Sequence, residues 1–282
     1  MTPELAGHIA SSVRGALAED VGPGDLTAAL VPEGQQAVAA VITREAAVIC
    51  GQPWVNEVFH QLDRSIRVDW QVAEGAAAAP GQVLCQLAGP ARPLLTGERT
   101  ALNFLQTLSA VATATRACVE AVGGTRTRIL DTRKTIPGLR LAQKYAVRTA
   151  GGTNHRIGLH DGILVKENHI VAAGGITAAV RRAREQGATV LLEVEVETLA
   201  QAEEAFRAGA DRLLLDNFDL PRLREAVALR DRVAPKTTLE ASGGIDLATL
   251  RPVAGTGVDF ISIGSLTKHV HAIDLSMRFR FA

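Results

Sequence analysis

Seven Lys and Arg residues lie between Asp131 and His169 (Arg133, Lys134, Arg140, Lys144, Arg148, Arg156 and Lys166), against only Asp131, Asp161 and Glu167. Over the whole chain 30 cations cancel 30 anions, so positive charge is concentrated in this stretch and the remainder is acidic. Arg presents a planar fork matched to carboxylate or phosphate, and Lys a point charge. Such a group suits a small polyanion. Arg140, Lys144 and Arg148 step by four along a helix and read first as a solvated charged face. Downstream, Glu195 and Asp216 offer hard oxygen ligands for Mg²⁺, directly or through water, on a phosphorylated substrate, with ion pairing to nearby cations as the competing use. Two Gly-rich turns, Ser242-Gly243-Gly244 and Gly264-Ser265, can turn backbone N–H groups onto an anion, although one Gly pair alone is more often a tight turn. His155, taken singly, reads as a satisfied loop histidine rather than an acid–base group. No Ser-His-Asp or Cys-His set, Walker loop or dinucleotide fingerprint stands out, so covalent catalysis is not indicated.

These residues share one kind of position. Beyond residue 125, six short apolar runs (126–130, 162–165, 189–196, 212–215, 237–239 and 260–263) alternate with helical periods at 177–186, 199–208 and 221–229. That is the pattern of a parallel sheet wound by βα units, either closed into a barrel or left open. Asp131 to Lys134, Lys166 to His169, Glu193 and Glu195, Asp216-Asn217, Glu240 to Gly244 and Gly264-Ser265 fall at or just past the ends of these runs. Parallel strands carry their carboxyl ends to one face, where such folds place their sites. Wet loops explain any one of the six, but less easily all of them.

The first hundred residues are punctuated by Gly and Pro at 22–24, 80–81 and 89–93, with short strands expected at 36–42, 65–72 and 82–87. They read as an antiparallel or α+β unit. From Gly97 to Val122 apolar residues recur at three- and four-residue steps, which predicts an amphipathic helix of about six turns bridging the halves. The expected organisation is an α+β domain over 1–115, an α/β domain of about six parallel strands over 116–270, and a tail, 271–282, returning to the first domain.

Composition narrows the class further. With 47% apolar and 21% charged residues, disordered, collagen-like and coiled-coil chains are excluded. Zero net charge and only seven Phe, two Trp and one Tyr argue against a nucleic-acid or membrane partner. Cys50, Cys85 and Cys118 fit neither a zinc pattern nor a disulfide framework, which favours a reducing compartment. The first twenty residues lack the apolar run and cleavage site of an export signal, and no 18-residue apolar stretch follows. The expectation is a soluble cytoplasmic protein.

The motifs also carry a family resemblance. Glu19-Asp20-Val21-Gly22-Pro23-Gly24-Asp25-Leu26-Thr27, Gly97-Glu98-Arg99-Thr100-Ala101-Leu102-Asn103, Asp131-Thr132-Arg133-Lys134-Thr135, Gly151-Gly152-Thr153-Asn154-His155-Arg156 and Lys166-Glu167-Asn168-His169 resemble, in order, the motifs of the quinolinate phosphoribosyltransferases. Glu193 to Glu197, Leu215 to Phe218, Glu240 to Ile245 and Gly264 to Lys268 continue the series over nearly the whole chain. Ala150 departs from it, where the family commonly has a third Gly. The resemblance implies an N-terminal open-faced sandwich plus an incomplete (β/α) barrel. It also implies transfer of phosphoribose from phosphoribosyl pyrophosphate (PRPP) to quinolinate with Mg²⁺ and decarboxylation, giving nicotinate mononucleotide, pyrophosphate and CO₂ on the route to NAD.

By the same resemblance, Arg99, Arg133, Lys134, His155, Arg156 and Lys166 bind quinolinate. Lys166, Glu195, Asp216, Ser242, Gly243, Gly244, Gly264, Ser265 and Lys268 hold PRPP and its phosphates. Lys134, Glu195 and Asp216 act in catalysis, and Glu195 and Asp216 organise the metal. A homodimer is implied, with higher oligomers open, in which Arg99 enters the partner's pocket. Competing readings are a paralogue accepting one carboxylate, such as nicotinate phosphoribosyltransferase or the molybdenum-transport-associated homologues, a non-catalytic phosphate-ligand binder, and a Mg²⁺-dependent aldolase using Lys166.

Overall fold

A computed structural model describes residues 2–187 and 189–281. In chain order its elements are α1 (Pro3–Val21), β1 (Gln36–Thr43), β2 (Ala47–Val48), α2 (Gln52–Leu62), β3 (Arg67–Trp70), β4 (Ala77–Ala78), β5 (Val83–Pro90), α3 (Ala91–Ala121), β6 (Arg128–Leu130) and α4 (Arg140–Thr149). There follow β7 (Ile163–Val165), α5 (Glu167–Ala173), α6 (Ile176–Glu185), β8 (Leu192–Val196), α7 (Leu199–Ala208), β9 (Arg212–Asp216), α8 (Leu220–Val233), β10 (Thr238–Ser242), α9 (Leu250–Ala254), β11 (Phe260–Ser262), α10 (Ser265–Lys268) and β12 (Leu275–Phe281). Two compact units result, one of Met1–Arg116, Ile136–Gly151 and Leu266–Ala282, the other of Ala117–Thr135 and Gly152–Ser265.

The first unit is built on an antiparallel sheet ordered β12-β1-β5-β3. Period-two alternation puts Ala37, Ala39 and Val41 of β1 into the core. The chain's last strand pairs along β1, with Ala37 opposite Phe281 and Thr43 opposite Leu275. Helix α1 starts where the Thr2 hydroxyl accepts the Leu5 N–H and Pro3 opens the first turn. Its Leu5, Ile9, Val13 and Leu17, four residues apart, are buried with Trp54 of α2 and Leu102, Leu105 and Leu108 of α3 in one core. Helix α4 contributes Ala142, Ala146 and Val147 to that core. This corrects the solvated-face reading of its basic residues: Arg148 is exposed, but Lys144 is only 2% exposed, because it shares the face that α4 buries.

The second unit holds a six-stranded, all-parallel sheet ordered β6-β11-β10-β9-β8-β7. It is the expected incomplete barrel, with β6 and β7 at its two edges. The segment after α4 begins alongside β6 through a parallel bridge, Leu130 to Thr153, and runs into β7, so it links the two edges. Helices α6, α7 and α8 bury Ile176, Ala179, Val180 and Ala183, then Ala202, Ala205 and Phe206, then Leu223 and Ala226, each at helical spacing. Thr198 and Gln201 form a reciprocal cap on α7, and Asp219 caps α8. All six strands fall within the runs read from the sequence or within three residues beyond them.

Candidate active site

Register decides which side chains meet. Neighbouring pairs Glu195 with Leu214, Leu214 with Glu240 and Glu240 with Phe260 run across β8, β9, β10 and β11. Residues two apart on one strand share a face. Leu164, Glu193, Glu195, Arg212, Leu214, Asp216, Glu240, Ser242 and Ser262 therefore project to the same side of the sheet. At its carboxyl end they open into a cavity of about 510 Å³ lined by Thr132, Arg133, Lys134, His155, Arg156, Leu164, Lys166, Glu195, Leu214, Asp216, Glu240, Ser242 and Ser262.

Eight of the residues singled out from the sequence thus converge: Arg133, Lys134, His155, Arg156, Lys166, Glu195, Asp216 and Ser242. Lys166 Nζ lies 2.8 Å from Glu195 Oε2. Burial raises the Asp216 carboxyl, and the Glu195 charge raises it further, while Lys166 and Lys134 oppose the shift. Burial and then the Arg133 charge lower the Arg156 guanidinium. Like charges are therefore crowded on both sides of the cavity, an arrangement that an anion and a cation bound together would relieve.

Buried Asp131, at the end of β6, organises the basic loop. Its Oδ1 accepts the His155 N–H at 2.9 Å and its Oδ2 accepts Asn154 Nδ2. The next side chain, Arg156, donates from its guanidinium to the Gly162 carbonyl at 3.0 Å. Two glycines make room. A Cβ at Gly264 would stand 3.0 Å from Lys134 Cδ. Gly243, at φ +102°, would place one 2.1 Å from Asn217 Oδ1, and Asn217 Nδ2 itself donates to Asp216 at 2.8 Å. The Ser242-Gly243-Gly244 turn thus packs directly on the Asp216-Asn217 turn, whose Asn217 N–H bonds the Ser242 carbonyl.

Arg99 on α3 and Lys268 on α10 belong to the first unit and are exposed. Gly244 and Ser265 are exposed too, at the turns after β10 and β11. Sequence reading missed Leu164, Leu214 and Ser262 as lining residues, and held Thr132 and Glu240 only within the polar strand ends, without a role of their own. Period-two spacing was the available signal: Leu164 precedes Lys166 by two, Glu240 precedes Ser242, and Leu214 precedes Asp216. Glu195 and Asp216, on adjacent strands and one face, fit a hard divalent cation, and the Glu195 charge raises the cost of ionising Asp216 in the absence of one. His155, Glu193 and Glu240 form a second, buried cluster, with donor atoms within 4.8 Å of one another.

A parallel α/β sheet that gathers cations and carboxylates at its carboxyl ends has the architecture in which α/β proteins bind small charged ligands. The family models for the N-terminal and C-terminal domains of quinolinate phosphoribosyl transferase match residues 25–109 and 111–278. The chain is 42% identical over 260 residues, 92% of its own length and 89% of the relative's, to a probable nicotinate-nucleotide pyrophosphorylase (carboxylating) of Bacillus subtilis. It is 41% identical to the human nicotinate-nucleotide pyrophosphorylase (carboxylating), covering 96% of this chain and 91% of that one. The solved nicotinate-nucleotide pyrophosphorylase of Francisella tularensis superposes with a TM-score of 0.94 at 45% identity, over 99% of this chain and 98% of that one. The chain belongs to the quinolinate phosphoribosyl transferase family, and is an enzyme of the phosphoribosyltransferase type. Among the described residues, no helix is long and apolar enough to cross a membrane.

Proposed function

We propose that this enzyme transfers phosphoribose from PRPP to quinolinate and decarboxylates the product, giving nicotinate mononucleotide, pyrophosphate and CO₂ for NAD synthesis. The observation that carries the reading is one cavity in which Arg133, Lys134, Arg156 and Lys166 share the lining with Glu195 and Asp216. Quinolinate brings two carboxylates, for which Arg133 and Arg156 supply planar forks, with Arg99 of a second copy completing the set. His155 belongs to the same lining.

Lys134 and Lys166, which line the same cavity, would take the charge shared between quinolinate and PRPP. Glu195 and Asp216 stabilise positive charge as it develops on the ribose ring, where the ring oxygen and C1′ share it once pyrophosphate departs. Bound Mg²⁺ supplies charge neutralisation on the pyrophosphate, and Glu195 and Asp216 would hold it. No protein nucleophile is required, because the pyridine nitrogen attacks C1′. As CO₂ leaves, its bonding pair stays on ring C2, stabilised by the adjacent quaternised nitrogen, until C2 takes a proton from water. Ser242, Gly243, Gly244, Gly264 and Ser265 would hold the 5′-phosphate. The dimer in which Arg99 reaches a partner's cavity, and a cytoplasmic location, belong to the same proposal.

The test is release of CO₂ and pyrophosphate from quinolinate plus PRPP and Mg²⁺, with nicotinate as the control. Equal turnover of nicotinate would move the assignment to a one-carboxylate paralogue. Tight binding without turnover would leave a binding protein.

A further inference from the structure

Glu193 and Glu240 are each 1% exposed and have no role in the reading above. They occupy the sheet face one side-chain step before Glu195 and Ser242. Between them His155 Nε2 lies 2.8 Å from Glu193 Oε2 and 3.5 Å from Glu240 Oε2, and Arg212 stands 3.6 Å from Glu240. The other ring nitrogen is also in use: His155 Nδ1 accepts the backbone N–H of Arg156 at 2.7 Å. A neutral imidazole that accepts at Nδ1 carries its hydrogen on Nε2, the nitrogen that the buried Glu193 carboxylate contacts at 2.8 Å, although neither carboxylate oxygen gains a hydrogen bond there. The ring is only 8% exposed.

Three donor atoms this close could hold a metal ion. Arg212 and Arg156 already supply the compensating positive charge to Glu193, however, and the short contact between His155 and Glu193 occupies the space between them.

We propose that His155 and Glu193 are positioning residues for Arg156, the ring being clamped between the buried carboxylate and the Arg156 amide, and that His155 does not itself contact the substrate carboxylates. The clamp fixes the backbone at Arg156 from one side while Asp131 holds the His155 N–H from the other. The Arg156 side chain then leaves a rigid point and is steadied by the Gly162 carbonyl. Preorganising a charged fork in this way spares the ordering cost at the moment of binding.

The inference rests on the proposed reading that Arg156 binds quinolinate, so turnover of quinolinate by the wild-type enzyme is measured first, and its absence counts against that reading. The clamp is read separately, in the free wild-type enzyme, by ¹⁵N NMR of labelled histidines. The His155 resonances are identified by their loss in H155Q. The expected spectrum shows Nδ1 unprotonated and Nε2 bearing hydrogen, unchanged when quinolinate saturates the enzyme. A proton on Nδ1, or an Nε2 resonance that shifts as quinolinate binds, overturns the proposal. In E193Q the quinolinate KM should rise about tenfold or more while kcat and the PRPP KM stay within about threefold. An E193Q enzyme with wild-type quinolinate KM also overturns it. Should E193Q fail to fold, the wild-type spectra still decide.

Discussion

Lys166 Nζ sits 2.8 Å from Glu195 Oε2, a pair that bridges the carboxyl end of β7 and the neighbouring strand β8. Lys166 is half exposed and Glu195 only 19% exposed, so the carboxylate is the anchored partner and the ammonium the mobile one. An incoming pyrophosphate or carboxylate can draw the lysine forward and leave Glu195 free to face positive charge. Lys166→Ala should therefore lower kcat/KM about 100-fold or more, because it removes an anion-binding charge and leaves Glu195 and Asp216 repelling each other. Steady-state kinetics with both substrates varied checks this, and a loss smaller than tenfold would count against it.

Arg133 and Arg156 lie close enough for the charge of one to lower the other's guanidinium. Arg133→Ala should cost about 2–5 kcal/mol of quinolinate binding, since one carboxylate is then left unpaired in a partly buried pocket. Titration calorimetry with quinolinate is the direct measurement, and a normal affinity contradicts the assignment. Arg133→Lys should recover only part of the loss, because a point charge cannot reproduce the fork.

Burial, then the charge of Glu193, pushes the Glu240 carboxyl up to about 8, against its ordinary 4.5. The folded state thus binds this proton more tightly than the unfolded chain does. Its contribution is fully present below the ordinary value and is lost as pH rises through the folded one. Stability should therefore decline between about pH 4.5 and 8 from this group. Glu240→Gln imitates the protonated form, so its Tm should fall less than the wild type's between pH 6 and pH 8. Parallel slopes for the two proteins would show that Glu240 is ionised at neutral pH.

Gly243→Ala should lower stability by about 1–3 kcal/mol, from a left-handed backbone that alanine resists and a methyl driven into Asn217. Asn217 cannot step aside freely, because its amide holds Asp216. The KM for PRPP should rise along with the fall in Tm, and a variant with both values unchanged would refute the packing of the two turns.

Much of the second unit was legible because its βα units are local. Short apolar runs ending in Gly or charge mark each strand, and Leu199 to Ala208 emerged with the bounds the structure shows. The converging cations could be read for the same reason, since a parallel sheet turns every strand end to one side. What resisted reading depends on partners distant in sequence. Lys144 lies in a helix whose charged spacing suggests solvent, yet its neighbours Ala142, Ala146 and Val147 turn that face inward. Helix α1, with its Thr2-Pro3 start and apolar residues at every fourth position, packs on α2 and α3, partners far along the chain. Glu193 and Glu240 stand out in the sequence only as polar residues near strand ends. Only the register across β8, β9 and β10 shows them facing inward, and only His155, arriving from another loop, explains how they are tolerated.

The pairing of β12 with β1 has a consequence for the order in which the protein assembles. Strand β1 lies inside its sheet, yet one of its two neighbours, β12, is far downstream of it in the sequence. As the ribosome extrudes the chain, residues 36–43 must wait for more than two hundred further codons before that edge is covered. The antiparallel sheet is thus completed only after the parallel sheet has been synthesised, and a nascent chain stalled anywhere upstream of Leu275 presents a bare strand edge to chaperones and to its neighbours.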